Sequence, residues 1–195
     1  MIHVIEPNNA DRHEDLLEGM FRLRARIFFQ KLGWQVDVRD GVERDRFDDE
    51  GPVYIVHTNA KGEVDGACRL LPTTGPTLIE EAFADTLPDV AGLSSPFIWE
   101  CTRLCVDAKA DLTVSGALIA AIGTVALQAG VESILGNFDR SMLHIYRRLG
   151  CEITVLGSTS RYGKTVFLGS FPVSEDILAK VNARIEDLIF RAKAA

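Results

Sequence analysis

Phe97-Ile-Trp-Glu-Cys-Thr-Arg-Leu-Cys-Val-Asp107 is the longest strand-like run in the chain, and it carries Glu100 and Arg103 in its middle. Aromatic and β-branched residues suit a pleated, half-buried surface. Charged side chains are seldom fully buried unless paired. The run therefore predicts a central strand that holds either one buried ion pair or part of a charged site. Before it, Pro52–His57 and Val64–Leu71 are strand-like segments joined by the turn Asn59-Ala-Lys-Gly62, which predicts a hairpin. After it, Ser115–Ala129 predicts an apolar helix with Ser115 as its N-terminal cap. Val131–Leu135 predicts a strand. Met142, Ile145, Tyr146 and Leu149 mark a helix face, and Gly150 closes that helix.

Working outward to the ends, residues 2–6 alternate as a first strand. Residues 11–31 read as a helix on Leu16, Leu17, Met20, Leu23 and Ile27, ended by Gly33. Residues 34–50 read as a long charged loop, and residues 73–96 as a Gly- and Pro-containing stretch with a short helix near Leu78–Ala84. Glu152–Leu156 and Thr165–Phe171 are late strands, and Ile177, Val181, Ile185 and Leu188 mark a terminal helix. The order β-α-β-β-β-α-β-α-β-β-α fits an α/β class, with a mixed sheet and helices on both faces.

The 195 residues suit a single domain, 1–195, with ordinary globular composition. A net charge of −7 argues against a nucleic-acid binder, which needs a basic face. Cys68, Cys101, Cys105 and Cys151 form no CxxC pair, and four histidines are too few to complete a metal set, so the cysteines read as reduced apolar thiols. The N-terminus lacks the pattern of a signal peptide, and no window approaches the roughly 18 apolar residues of a membrane span. These features predict a cytoplasmic protein with no membrane segment.

Four segments carry the chemistry. Arg22, Arg24 and Arg26 recur at steps of two, about 200° apart on a helix, so they cannot share a face. Arg24 lies next to Leu23 and can flank the buried side. Taken alone, these are solvated helix charges. In Glu43-Arg-Asp-Arg-Phe-Asp-Asp49, Asp45 and Asp48 bracket an aromatic residue, which predicts a loop that folds back on something. Arg69 interrupts an apolar strand and shares a face with Ala67 and Leu71, while Val64, Gly66 and Cys68 take the other. An arginine there needs an acidic partner. Arg24, Arg69 and Arg103 would then balance Asp45, Asp48 and Glu100 in one cluster.

The pattern Arg24-x3-Phe28-x5-Trp34, Asp45-x2-Asp48, Arg69, Glu100-x2-Arg103 resembles the N-acyl-homoserine lactone synthases, the autoinducer synthases of bacterial quorum sensing. The resemblance runs over about residues 1–170. It implies an acetyltransferase-like (GNAT-like) three-layer αβα fold with a mixed, mostly antiparallel central sheet. It implies S-adenosylmethionine as one substrate, and as the other an acyl chain carried as a thioester on acyl carrier protein or coenzyme A. No tightly bound cofactor, metal or obligate protein partner is implied. The substrate amine must lose a proton before it attacks. Glu100 is the expected base, with Asp45 at the ammonium and Asp48 ordering the arginines. Arg103 or Arg69 would supply a fork to the substrate carboxylate. The sulfonium suits the aromatic faces of Phe28, Trp34 and Phe83, and backbone N–H groups of the Glu100–Val106 strand would meet the oxyanion. Phe28 and Trp34 can equally be core packing.

Cys101, Leu104, Gly136, Met142, Ile145 and Tyr146 are candidates for an acyl pocket, although an apolar helix stripe is often plain core. Arg140, Arg147, Arg148, Arg161 and Lys164 concentrate basic charge in an acidic protein, and Arg147 and Arg148 are candidates for docking an acidic carrier protein. Two departures stand out. Thr113-Val-Ser-Gly-Ala-Leu118 lacks the first and last positions of the pyrophosphate loop of general acetyltransferases, leaving only Ser115 and Gly116 near a helix start. Gly136 stands where members that prefer 3-oxo chains carry threonine, which argues against that preference. Two other readings stay open, an acetyltransferase-fold enzyme acting on another amine and a non-catalytic ligand sensor.

Overall fold

The computed structural model describes residues 1–86, 91–110, 112–161 and 163–194. Its strands are β1 (Ile2–Ile5), β2 (Val38–Arg39), β3 (Val42–Glu43), β4 (Val53–Thr58), β5 (Val64–Pro72), β6 (Ile98–Val106), β7 (Ser133–Asp139), β8 (Thr154–Thr159) and β9 (Val166–Pro172). Its helices are α1 (Glu14–Arg24), α2 (Leu78–Ala82), α3 (Leu112–Gln128), α4 (Arg140–Arg148) and α5 (Glu175–Ala194). The single domain read from length divides into two compact units, Met1–Leu71 with Arg103–Ala121, and Pro72–Thr102 with Ile122–Ala195. β6 and α3 each contribute residues to both units.

In the first unit, β1, β4 and β5 pair antiparallel, with Ile5 opposite Tyr54 and Tyr54 opposite Arg69. The three- and four-residue spacing of Met20, Phe21 and Leu23 turns one face of α1 onto Ile5, Tyr54, Val56, Ala67 and Cys105. The opposite face carries α3. A Cβ at Gly66 would lie 2.8 Å from Val114 Cγ1 and 3.0 Å from Leu118 Cδ1, so glycine is what lets that helix approach. The faces of β5 follow the expected alternation from Gly66 onward. Val64 departs from it. A register shift at His57/Thr58 turns Val64 toward α1, where it packs against Gly19.

In the second unit, Ile98, Trp99 and Glu100 of β6 pair in parallel with Ser133, Ile134 and Leu135 of β7. β9 then pairs antiparallel with both β7 and β8. Alternation splits β7 and β9 into two faces. Leu135 and Leu168 pack with Ile79 of α2, and Leu93, Ile98 and Leu156 join them. On the other face, Phe138, Phe167 and Phe171 form an aromatic cluster with Tyr146 of α4, at centroid separations of 5.0 to 6.0 Å.

The structure moves several expected boundaries. The helix read over residues 11–31 is α-helical only over Glu14–Arg24 and continues as a π-helix over Ala25–Lys31. Leu32 N bonds Ile27 O at 3.0 Å, five residues back. The charged stretch 34–50 is not one irregular loop. It holds the β2–β3 hairpin and a 3₁₀ turn at Arg46–Asp49. α3 starts at Leu112, so Ser115 sits inside the helix and is not its cap. β7 and β8 begin two residues later than their apolar patterns.

Gly169 is a demanding position. A Cβ there would lie 2.6 Å from Phe138 Cε1 and 3.0 Å from Cζ. Overpacking of this kind costs about 1–3 kcal/mol. Gly169→Ala is expected to lower the unfolding free energy by that amount, read as a lower urea midpoint at unchanged slope, and an unchanged midpoint would show that the Phe138 ring relocates freely.

Candidate active site

The first unit contains a buried ionic network that the sequence pattern anticipates in part. Arg24, at the end of α1, is 1% exposed. Its Nε donates to Glu43 Oε2 at 2.5 Å, and its two terminal nitrogens fork onto Asp48 at 2.8 and 3.0 Å. Arg69, also 1% exposed, donates to both oxygens of Asp45 and to Asp48 Oδ1 at 2.8 Å. Arg103 Nη2 reaches Glu43 Oε1 at 3.1 Å and Asp45 Oδ2 at 2.7 Å. Tyr54, opposite Arg69 in the hairpin, donates its hydroxyl to Asp48 Oδ1 at 2.8 Å. Three guanidinium groups thus balance three carboxylates, and bidentate geometry satisfies most of their hydrogen-bonding capacity.

Local sequence explains why the acids arrive together. Asp45 and Asp48 form a reciprocal capping box, in which Phe47 N donates to Asp45 Oδ1 at 3.0 Å and Asp45 N to Asp48 Oδ2 at 2.9 Å. The box closes the 3₁₀ turn and buries Phe47, with the Arg69 guanidinium 5.4 Å from its ring. The β2–β3 hairpin supplies Glu43 from its last residue. Arg103 has φ +54, a left-handed conformation that is rare for a residue with a side chain and breaks the alternation of β6. Backbone strain of this kind gathers at functional sites.

Burial alone disfavours every charge in the network. For Arg24, the hydrogen bonds and charges of Asp48 and Glu43 outweigh burial and hold the guanidinium above its usual range. For Asp48, Arg24 and Arg69 outweigh burial and hold the carboxyl well below the ordinary carboxylate range. Burial and the neighbouring Asp48 charge push the Tyr54 phenol up. Burial also pushes the Cys105 thiol up to about 12, so it behaves as an apolar group.

A further acid of the network is Glu43, which was not singled out from the sequence, and Arg103 pairs with Glu43 and Asp45. Glu100 lies in the second unit, 2% exposed, and accepts from Leu78 N at 2.9 Å and Ile79 N at 2.8 Å at the start of α2. Tyr54 and Phe47 were missed as well. Tyr54 was legible as the strand neighbour of Arg69, and Glu43 as the first acid of the charged run.

The aromatic candidates separate. Phe28 is 3% exposed and stacks on Trp34 at 5.1 Å and 21°, with the Arg103 guanidinium 5.6 Å above its ring. Trp34 is 39% exposed and presents an outer surface. Phe83 follows α2 and is half-buried.

Of the acyl-pocket candidates, Gly136 and Tyr146 meet the aromatic face of the second unit. A Cβ at Gly136 would lie 3.5 Å from Cys101 O and 4.0 Å from Phe171 Cε2. Met142 and Ile145 lie half-buried on α4, and Leu104 belongs to the first unit. Phe138, Phe167 and Phe171 complete that face and were not anticipated, because aromatic residues in a strand read as core. Arg140, Arg147 and Arg148 are exposed on α4. Lys164 is engaged with Asp139 at 2.8 Å, and Arg161 lies 3.9 Å from Asp85.

Comparison with known proteins decides the family. The autoinducer synthase family model matches residues 8–181. The chain belongs to the autoinducer synthase family. An acyl-homoserine-lactone synthase of Rhizobium etli is 36% identical over 98% of this chain and 93% of its own length. An isovaleryl-homoserine lactone synthase of Bradyrhizobium diazoefficiens is 36% identical over 80% of this chain and 72% of its own. A solved CoA-dependent acyl-homoserine lactone synthase, BjaI, with SAM and isopentyl-CoA, superposes with a TM-score of 0.84 at 30% identity, covering 95% of this chain and 89% of its own. TofI, solved with an inhibitor and MTA, gives 0.78 at 28% identity, covering 93% and 96%. A putative N-acetyltransferase of Lactobacillus plantarum at 17% identity and a TM-score of 0.59 shows the acetyltransferase-like fold. As an autoinducer synthase, the chain is an acyltransferase.

The network makes a stability prediction. Removing one partner of a buried ion pair strands the other charge and costs about 3–5 kcal/mol. Arg24→Met is expected to lose that much at neutral pH. Asp48 is depressed in the fold, so its contribution is complete above its unfolded value near pH 4 and drains as the pH falls below it. Urea midpoints measured from pH 6 to pH 3 are therefore expected to fall less steeply for Arg24→Met than for the natural chain. Parallel slopes would contradict the assignment.

Proposed function

We propose that this chain is an acyl-homoserine-lactone synthase that joins an acyl thioester to S-adenosylmethionine. The amine nitrogen attacks the thioester carbonyl carbon, the carbon–sulfur bond breaks, and the carrier thiol leaves. The methionyl carboxylate then attacks its own γ-carbon. The bond to the sulfonium breaks, the lactone closes, and neutral 5′-methylthioadenosine departs. Two relatives support this reading, one solved with SAM and isopentyl-CoA and one with MTA.

The observation that carries it here is the buried Arg24–Asp48–Arg69 assembly with Arg103 at its edge. Arg69 is spent on Asp45 and Asp48, which leaves Arg103, with 10% of its side chain exposed, as the better fork for the substrate carboxylate. Asp45, with 18% of its side chain exposed, is assigned the ammonium, and Asp48, bonded to the two buried arginines, is assigned their ordering. The outer surface of Trp34, whose ring is backed by Phe28, suits the sulfonium. Glu100 is the base that takes the ammonium proton, its carboxylate oriented by Leu78 N and Ile79 N. The left-handed turn at Arg103 frees β6 from regular alternation, so its N–H groups are candidates for the oxyanion. The aromatic face with Gly136, Tyr146, Phe138 and Phe171 is the acyl pocket, and exposed Arg147 and Arg148 are the docking contact if an acidic carrier protein is the donor.

Mass spectrometry of purified protein with S-adenosylmethionine and a panel of acyl-CoA and acyl carrier protein donors tests this. Lactone and methylthioadenosine are expected together in equal amounts, and neither product with any donor would overturn the reading. Glu100→Gln is expected to keep the fold and lose about 10²–10⁴-fold in turnover; full turnover would remove Glu100 as the base.

A further inference from the structure

Asn137 stands out in the second unit for reasons unrelated to the ionic network. Its Nδ2 is buried and meets no acceptor, alone in this among buried side-chain nitrogens and oxygens of the described residues. An amide donor withdrawn from water without a partner destabilises a fold, and native proteins leave few of them. An acceptor brought from outside the chain would satisfy it.

Its location indicates which partner. The parallel register of β6 and β7 ends at Glu100 and Leu135, while β7 continues to Asp139. Asn137 lies two residues beyond Leu135, roughly 7 Å along the strand. Residues opposite one another in neighbouring strands share a sheet face, as do residues two apart in one strand. Glu100 is opposite Leu135 and Asn137 is opposite Leu168. Glu100, Leu135, Asn137 and Leu168 therefore lie on one face, with Ile79 of α2 packed on Leu135 and Leu168. Leu135, Leu168 and Ile79 give this face apolar side chains, and the Glu100 carboxylate on it already accepts from Leu78 N and Ile79 N. A carboxylate acceptor would need a cation beside it to be buried there, whereas a neutral carbonyl or hydroxyl oxygen needs only the donor.

We propose that Asn137 Nδ2 donates a hydrogen bond to a neutral oxygen of the acyl donor, either the thioester carbonyl or an oxygen on the acyl chain beside it. Asn137 thereby fixes the oxygen-bearing, reactive end of the acyl donor where the β6–β7 pairing ends, on the face that carries Glu100, while the apolar tail is left to the aromatic face. This assignment rests on the synthase reading above.

The test uses Asn137→Leu, which removes the donor at similar volume, and Asn137→Asp, which replaces it with an acceptor. Both are assayed with saturated and 3-oxygenated acyl thioesters of equal length. For Asn137→Leu the melting temperature is expected to stay level or rise, because an unpaired polar group has been removed. The kcat/KM for the acyl donor is expected to fall at least 10-fold in both variants, with the KM for S-adenosylmethionine unchanged. Equal losses with both thioesters place the bond at the thioester carbonyl. A loss confined to the oxygenated thioester places it on the chain. Unchanged kcat/KM with every donor, or a drop in melting temperature together with an equal rise in the KM for S-adenosylmethionine, would overturn the proposal. If the natural protein forms no lactone at all, the synthase reading fails instead. Calorimetric binding of acyl-CoA to the natural chain and to Asn137→Leu still decides the role of Asn137, with weaker binding by the variant supporting it and equal binding refuting it.

Discussion

The constraint on which the first unit depends is the placement of two arginines, Arg24 and Arg69, almost wholly out of water. Neither can remain there without carboxylates in fork geometry, because an unpaired buried charge costs several kcal/mol. That requirement dictates the chain between them. The β2–β3 hairpin must deliver Glu43, and the capping box must turn Asp45 and Asp48 inward around Phe47. Tyr54 must sit opposite Arg69 to complete the shell of Asp48. Such a network adds little net stability compared with a well-packed apolar core, and its value lies in fixing positions. Arg103, joined to it through Glu43 and Asp45, is held in a left-handed conformation that an unsupported strand residue would avoid.

Much of this was legible in the sequence. Arg69 in an apolar strand announces a buried pairing, Asp45-x2-Asp48 around an aromatic announces a loop that folds back, and strand alternation placed Arg69 correctly. The element order followed from periodicity, apart from the short β2–β3 hairpin. What escaped has identifiable physical causes. The π-helical turn at Ala25–Lys31 keeps apolar spacing that reads as ordinary helix, since one extra residue per hydrogen-bonded ring leaves no compositional mark. Glu43 was hidden because a charge run gives no sign of which member turns inward. Glu100 was grouped with the network by its proximity to Arg103 in sequence. The N–H groups at the start of α2 that Glu100 accepts lie about twenty residues away in sequence and leave no mark beside it.

The second unit follows a different logic. Where the parallel pairing of β6 with β7 ends, its two faces offer contrasting surfaces. One is an aromatic wall opened by Gly136 and Gly169, and the other is an apolar floor bearing Glu100 and Asn137. An acyl thioester needs both an apolar channel for its tail and a few fixed polar groups near its reactive carbon. Aliphatic and aromatic packing supplies the first. In the proposed site the second would come from Glu100, whose carboxylate accepts from Leu78 N and Ile79 N, and from Asn137, whose Nδ2 is buried without an acceptor.

The central claim is that the preorganised network presents Arg103 as the fork for the methionyl carboxylate. The most direct measurement is calorimetric binding of S-adenosylmethionine to Arg103→Lys, which keeps the charge and removes the fork. The account predicts affinity at least 10-fold weaker with the melting temperature little changed. Affinity equal to that of the natural chain would contradict it.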